Sequence, residues 1–346
     1  MGKITMKDIA EKLNISINAV SLALNSKAGV SEETRKQVLD MAEELGYLDK
    51  SPKFIKTFAN KNICVIIKKY YFEDNNFYGK IMMGIGDESR RKGYDIITCL
   101  INESEKSIPS CIESKKVCGI IVIGNIDDDY LVKLKSYKIP VVLVDHTSLL
   151  ESTDSILTDN KLGSFNITKL LIERGYKNIG FFGDLDYSLS IKERYFGYRE
   201  SIKKFLEFKT YRELDEFIDS NSILYEIEEH IINKNLEAVK ETVKNIKLMP
   251  EAFICSNDNA AISLISALKE LGYSVPTDIA VVGFDDIVLG SLIEPKLTTV
   301  RVEKDFMGRK AVDRLIWRLE NKNYPDEKTI LSVEIVERDS VGNKNI

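Results

Sequence analysis

From residue 62 onward, short apolar runs alternate with amphipathic helical segments, and that alternation restricts the chain to one broad architecture. The runs fall at Ile63–Ile67, Asp95–Leu100, Gly119–Gly124, Pro140–Val144, Ile179–Gly183, Glu251–Cys255 and Ile279–Phe284. Segments this short and this apolar suit strands covered on both faces. Between them lie helical patterns such as 259–271, which brings Ala261, Leu264, Ile265, Leu268 and Leu271 to one side. Strands and helices in this order imply an α/β fold with doubly wound parallel sheets. Two sets of strands, divided near residue 158, predict two lobes. A helix around 304–320, with Met307, Ala311, Leu315 and Leu319 inward, follows the second set. The chain is therefore expected to cross back, giving lobe 1 as about 62–158 and 287–320 and lobe 2 as about 159–286 and 321–346.

The first sixty residues follow a different period. Thr5 and Asp8 have the spacing of a capping box, and Ile9, Ala10 and Leu13 share the face of the helix they open. Asn14 tolerates the left-handed conformation that ends a helix. Ser16 is placed to cap a second helix burying Ala19, Val20 and Leu24. Ser31, with Glu32 and Glu33 in the first turn, starts a third helix that buries Val38, Met41, Ala42 and Leu45 before Gly46. The small Ala10 and the tight Asn14-Ile15-Ser16 turn allow the first two helices to cross closely, as in a helix-turn-helix. Periodicity alone leaves an inert three-helix module as the alternative.

The residues themselves favour a DNA reader. Met6-Lys7-Asp8-Ile9-Ala10, Ser16 through Asn25, and Gly29-Val30-Ser31-Glu32-Glu33-Thr34-Arg35 through Gly46-Tyr47 resemble the N-terminal headpiece of the LacI/GalR family. The body carries further stretches in family order. They include Asn75-Asn76-Phe77-Tyr78, Thr158-Asp159-Asn160, Arg194-Tyr195-Phe196-Gly197-Tyr198-Arg199, Ser256-Asn257-Asp258 and Gly283-Phe284-Asp285-Asp286. These resemble the periplasmic-binding-protein-like effector domain of the same family. The resemblance implies a helix-turn-helix headpiece over 1–47, a basic hinge over 48–61 and a two-lobed effector-binding and dimerisation domain over 62–346.

It also implies roles. The second helix would enter the major groove, with Ile17, Asn18 and Leu22 at the base-reading positions. Asn18 suits bidentate contact with adenine, and Ile17 and Leu22 suit thymine methyl groups. Many relatives hold Arg where Leu22 stands, so a guanine contact is lost there. Thr5, Ser16 and Ser21 are expected to touch phosphates, with helix capping and solvation as their alternative roles. In the hinge, Lys56 falls where the family places a minor-groove leucine, and a shifted register would present Ile55 or Phe58 instead. A plain flexible linker is the alternative there. The implied effector contacts are Phe77, Tyr78, Arg194, Asn257 and Asp285, joined by Asp145 at a strand end with Ser148 and His146 nearby. Carboxylate, amide and guanidinium groups beside aromatic rings suit a sugar. A salt bridge between lobes is the alternative for Asp285, and a helix N-cap is the alternative for Asn257.

Composition narrows the remaining classes. A formal charge of −5 argues against coating of nucleic acid by bulk attraction. The local balance differs, since residues 50–61 hold Lys50, Lys53, Lys56 and Lys61 and no acid. The N-terminus has no apolar signal region, and no apolar run approaches the ~20 residues that span a bilayer, so a cytoplasmic protein without a membrane partner is expected. The five cysteines are scattered without CxxC spacing and only two histidines occur, which points to reduced core thiols and no metal or cofactor. No nucleophile–base pair or phosphate loop is evident, so no enzymatic activity is expected. The resemblance, with these classes set aside, implies a transcription regulator, a repressor, acting as a homodimer on a near-palindromic operator under control of a small ligand. Control by a phosphorylated carrier protein is the nearest alternative. A solute-binding protein or an α/β enzyme without a DNA role would share only the body.

Overall fold

The computed structural model describes residues 4–24, 29–45, 47, 61–102 and 106–344. Contacts divide the chain into two compact units, Met1–Lys61 and Asn62–Ile346. In the first, helices span Met6–Leu13, Ile17–Leu24 and Glu32–Glu44. Thr5 donates from both its backbone N–H and its hydroxyl to Asp8 Oδ2, each at 2.7 Å. Asn14 ends the first helix at φ 52°, the conformation expected of it. Ile9, Ala10, Val20, Ala23, Leu24, Val38 and Ala42 form a small core shared by all three helices. Arg35 closes the bundle by donating to the Ala23 carbonyl at 3.2 Å.

The second unit holds strands β1 (Asn62–Lys68), β2 (Asp95–Ile101), β3 (Gly119–Ile123), β4 (Val141–Val144), β5 (Asp154–Thr158), β6 (Ile179–Phe182), β7 (Ala252–Cys255), β8 (Ala280–Val282), β9 (Thr299–Arg301), β10 (Lys328–Leu331) and β11 (Glu334–Val336). They form a six-stranded sheet ordered β10-β5-β4-β3-β1-β2, a three-stranded sheet β6-β7-β8 and a two-stranded β9–β11 ribbon. Every pairing in the two larger sheets is parallel. Successive side chains of one strand feed opposite layers. Ile63, Val65 and Ile67 enter one core, while Cys64 and Ile66 enter the other. The same division splits β3 and β4, and this two-sided burial explains the continuous apolar runs.

Two of the expected lobe boundaries move. The segment around 321–331 belongs with the first sheet, because β10 pairs parallel to β5. The buried Asp154 fixes that arrangement by accepting hydrogen bonds from Arg314, Arg318 and the Glu327 backbone N–H. The segment 287–298 stays with the second sheet. There Asp258 Oδ2 accepts from Ile287 N, and Leu297 packs among Phe182, Phe253 and Leu264. The antiparallel β9–β11 ribbon therefore marks where the chain passes between lobes. Helices Tyr78–Lys92 and Lys304–Glu320 cross closely at glycines. A Cβ on Gly84 would lie 1.9 Å from the Asp305 carbonyl oxygen, and one on Gly308 2.2 Å from that of Ile81. Among the described residues no helix is long and apolar enough to cross a membrane.

Candidate functional site

In doubly wound sheets the C-terminal strand ends and following loops frame the ligand crevice. Asp145 follows β4 directly and adopts φ 56°, while Asp285 follows β8 and adopts φ 113°. Positive φ is costly for residues with a side chain, so the surrounding contacts must hold both carboxylates in place. For Asp285 these include a backbone N–H donated to the Val300 carbonyl at 2.7 Å and the Lys304 ammonium donating to its carbonyl.

Arg194 organises the second-lobe side. It lies on the helix Leu189–Phe205, is 4% exposed, and stacks its guanidinium 3.9 Å from the Phe284 ring centroid. Its nitrogens donate to Asn160 Oδ1 at 2.9 Å, the Ser256 carbonyl at 2.5 Å and Asp285 Oδ1 at 3.1 Å. The Arg194–Asp285 salt bridge thus joins two elements of the same lobe, not the two lobes as the alternative had it. The planar fork satisfies acceptors from three elements at once while its face stacks on Phe284, a combination that the compact ammonium of a lysine lacks.

Asp145 instead links the lobes. Tyr78, on the first-lobe helix, donates its hydroxyl to Oδ2 at 3.2 Å. Ser190, one turn before Arg194, donates to Oδ1 at 3.2 Å. Burial pushes the Asp145 carboxyl up to about 6, against the pull of Arg194. Burial also raises Asp285, opposed by Arg194 and Lys304. Phe77 is buried beside Tyr78, their rings 4.9 Å apart edge to face, with Lys304 Nζ 5.9 Å from the Phe77 centroid. Asn257 takes its alternative role as a helix cap, its Oδ1 accepting from Ala260 N at 2.8 Å. Ser148 likewise serves its own turn, accepting from Leu150 N and Glu151 N. His146 Nε2 is buried and has no hydrogen-bond partner among the described residues.

Two further members, Glu228 and Asn160, are not among the expected contacts. Glu228, 2% exposed, accepts from Ser256 Oγ at 2.6 Å, and burial pushes it up to about 7. Asn160 connects Arg194 to Glu193 through a 3.0 Å bond from Nδ2. In sequence, Glu228-Glu229-His230 reads as a solvated helix start.

In the headpiece the second helix keeps one side open to solvent. Ile17 is 48% exposed, Asn18 is exposed, and Ser21 and Leu22 are half-buried on the same side. Thr5 is engaged with Asp8, and Ser16 Oγ accepts from Ala19 N at 3.0 Å, so both occupy their capping roles. Ile55 and Lys56 lie outside the described residues.

Two family models match the chain: "Bacterial regulatory proteins, lacI family" over residues 5–49 and "Periplasmic binding protein-like domain" over residues 168–341. Among similar proteins, the HTH-type transcriptional regulator RegA of Clostridium saccharobutylicum is 32% identical over 344 residues, covering 97% of this chain and 98% of the relative. The HTH-type transcriptional repressor PurR of Aliivibrio fischeri is 28% identical, covering 98% and 99%. The fold is similar to that of the transcriptional regulator CelR–cellobiose complex, with a TM-score of 0.66 at 20% identity, covering 97% and 99% of the two chains. It is also similar to the lac repressor dimer bound to operator and an anti-inducer, at 0.65 and 21%, covering 98% and 99%. A ribose-bound LacI family regulator from Enterococcus faecium aligns at 0.66 and 19%, covering 82% and 99%.

Proposed function

Because this chain belongs to the LacI family of bacterial regulatory proteins, we propose that it represses transcription as a homodimer on a near-palindromic operator and that its effector is a sugar or similar polyol. DNA-binding regulation under small-molecule control comes with the family. The finer reading rests on one observation: acceptors from both lobes and a buried guanidinium converge at the strand ends. Asp145 with Tyr78 offers acceptor and hydroxyl from the first lobe, and Asp285 with Arg194 offers acceptor and donor from the second. A polyol presents donors and acceptors together and can satisfy both sides. The carboxylates of Asp145 and Asp285 balance the nearby cations Arg194 and Lys304, leaving no surplus positive charge for a phosphorylated ligand. The cellobiose of the CelR complex and the ribose of the Enterococcus faecium regulator belong to this class.

A ligand that takes over Asp145 Oδ1 from Ser190 would alter how the lobes close and, through the paired bodies, the spacing of the headpieces. In each half-site Ile17, Asn18 and Leu22 would face base edges while Ser21 meets a phosphate, with Ile55 or Lys56 near the minor groove. Calorimetry against a panel of mono- and disaccharides tests the pocket. Arg194→Ala and Asp285→Asn should each abolish binding of the best ligand. Normal binding by both would discard the pocket.

A further inference from the structure

The fold brings together three cysteines that lie far apart in sequence. β1 and β2 are parallel, with Cys64 opposite Ile97 and Ile66 opposite Cys99. The two thiols therefore sit on one face of the sheet, displaced by two residues. The short helix Ser110–Glu113 lies over that face and adds Cys111. The Sγ–Sγ distances are 3.6 Å for Cys64–Cys99, 3.8 Å for Cys99–Cys111 and 3.8 Å for Cys64–Cys111. All three are free thiols.

We propose that Cys64, Cys99 and Cys111 form one face of a binding site for a thiophilic divalent cation of the zinc type. A tetrahedral zinc with Zn–S of about 2.3 Å sets its sulfurs about 3.8 Å apart, which matches every edge of this near-equilateral triangle. The ion would sit just off the sulfur plane without movement of the strands. Among the described residues no fourth His, Cys, Asp or Glu joins the group, so water completes the tetrahedron. Cys99, half-buried on the edge strand β2, leaves an approach for that water and for the ion, while Cys64 and Cys111 are buried. Ile66, Ile101, Ile112 and Val117 form an apolar surround. Soft thiolate donors in such a setting select zinc-like ions over magnesium or calcium.

Binding breaks three S–H bonds, forms three metal–sulfur bonds and passes three protons to solvent, with no change of oxidation state. Because three protons leave as the ion binds, affinity should fall steeply as the solution is acidified. The bound ion would fasten the edge strand and the short helix to β1.

The test is titration of the full, reduced, metal-free chain with Co²⁺. The expected result is thiolate-to-cobalt charge-transfer and tetrahedral d–d bands that saturate at one ion per chain and are displaced by Zn²⁺. Cys99→Ala, at the half-buried edge position, and Cys111→Ser should lose the bands, and Cys118→Ser should keep them. A second measurement needs no variant. Zn²⁺ should shield Cys99, the half-buried thiol of the three, from alkylation in the native chain while leaving Cys118 as reactive as before, and should raise the melting midpoint by about 5 °C at a hundredfold excess over Kd. Absence of thiolate bands, their persistence in Cys111→Ser, or alkylation of Cys99 unchanged by Zn²⁺ would overturn the proposal.

Discussion

Replacing Arg194 with alanine should destabilise the body before any ligand is considered. The side chain is 4% exposed and its three hydrogen bonds join Asn160, Ser256 and Asp285, which belong to three separate elements. Its removal leaves the Asp285 carboxylate, 8% exposed, with Lys304 as the remaining nearby cation. Breaking one side of a buried ion pair costs about 3–5 kcal/mol, because the stranded charge keeps its desolvation penalty. At about 2 °C per kcal/mol for a domain of this size, the melting midpoint should fall by about 6–10 °C. Differential scanning calorimetry of the full chain would resolve that easily. A second substitution separates stranded charge from lost packing. Asp285→Asn added to Arg194→Ala should recover part of the loss, since the buried charge disappears, whereas the stacking on Phe284 at 3.9 Å stays lost. If Arg194→Ala melts within about 2 °C of the parent, or if Asp285→Asn only deepens the loss, the reasoning about this pair is refuted.

Other expectations follow from the same geometry. Burial lifts Glu228 from 4.5 to about 7, so the folded state holds its proton more tightly than the unfolded chain. Its contribution is full below about 4.5 and is lost as pH rises through 7, on the order of 3 kcal/mol; melting curves should show that slope flattened in Glu228→Gln. Gly84→Ala drives a Cβ to 1.9 Å from a backbone oxygen, and chemical denaturation should show a loss of about 3 kcal/mol. An unchanged midpoint would mean that the two helices separate readily. Asn18→Ala should weaken binding to the selected operator by about 1–3 kcal/mol and leave binding to unrelated DNA unchanged. Residues 1–49 carry a net charge of −2 and the connector 50–61 carries +4, so the salt dependence of operator affinity should be shallow, and a steep slope in anisotropy titrations would count against shaped contacts as its main source.

The parts of this fold that were legible in the sequence are those fixed by local period. The headpiece helices and seven of the strands announce themselves by apolar spacing and by caps at Thr5, Asn14 and Ser16. Strand β5 does not, because Asp154 at its start is buried only by virtue of Arg314 and Arg318, some 160 residues later. The same distant pairing moved the expected lobe boundary. Arg194 and Asp285 were reachable through family resemblance, while Glu228 sits in a segment whose charges look solvated. The cysteines are the free thiols that their spacing implied, but the convergence of three of them from two strands and a helix could not be read from spacing along the chain.

The central claim, that a ligand in the lobe cleft governs sequence-specific DNA binding, is most directly tested by anisotropy. The full chain would select its operator from random duplexes, and affinity for that site would be measured with and without the cleft ligand found by thermal shift. The expected result is a near-palindromic site whose affinity changes by about 5–150-fold with ligand in the parent chain and not in Arg194→Ala. Equal affinity for the selected and a scrambled duplex, or a ligand effect that persists undiminished in Arg194→Ala, would contradict it.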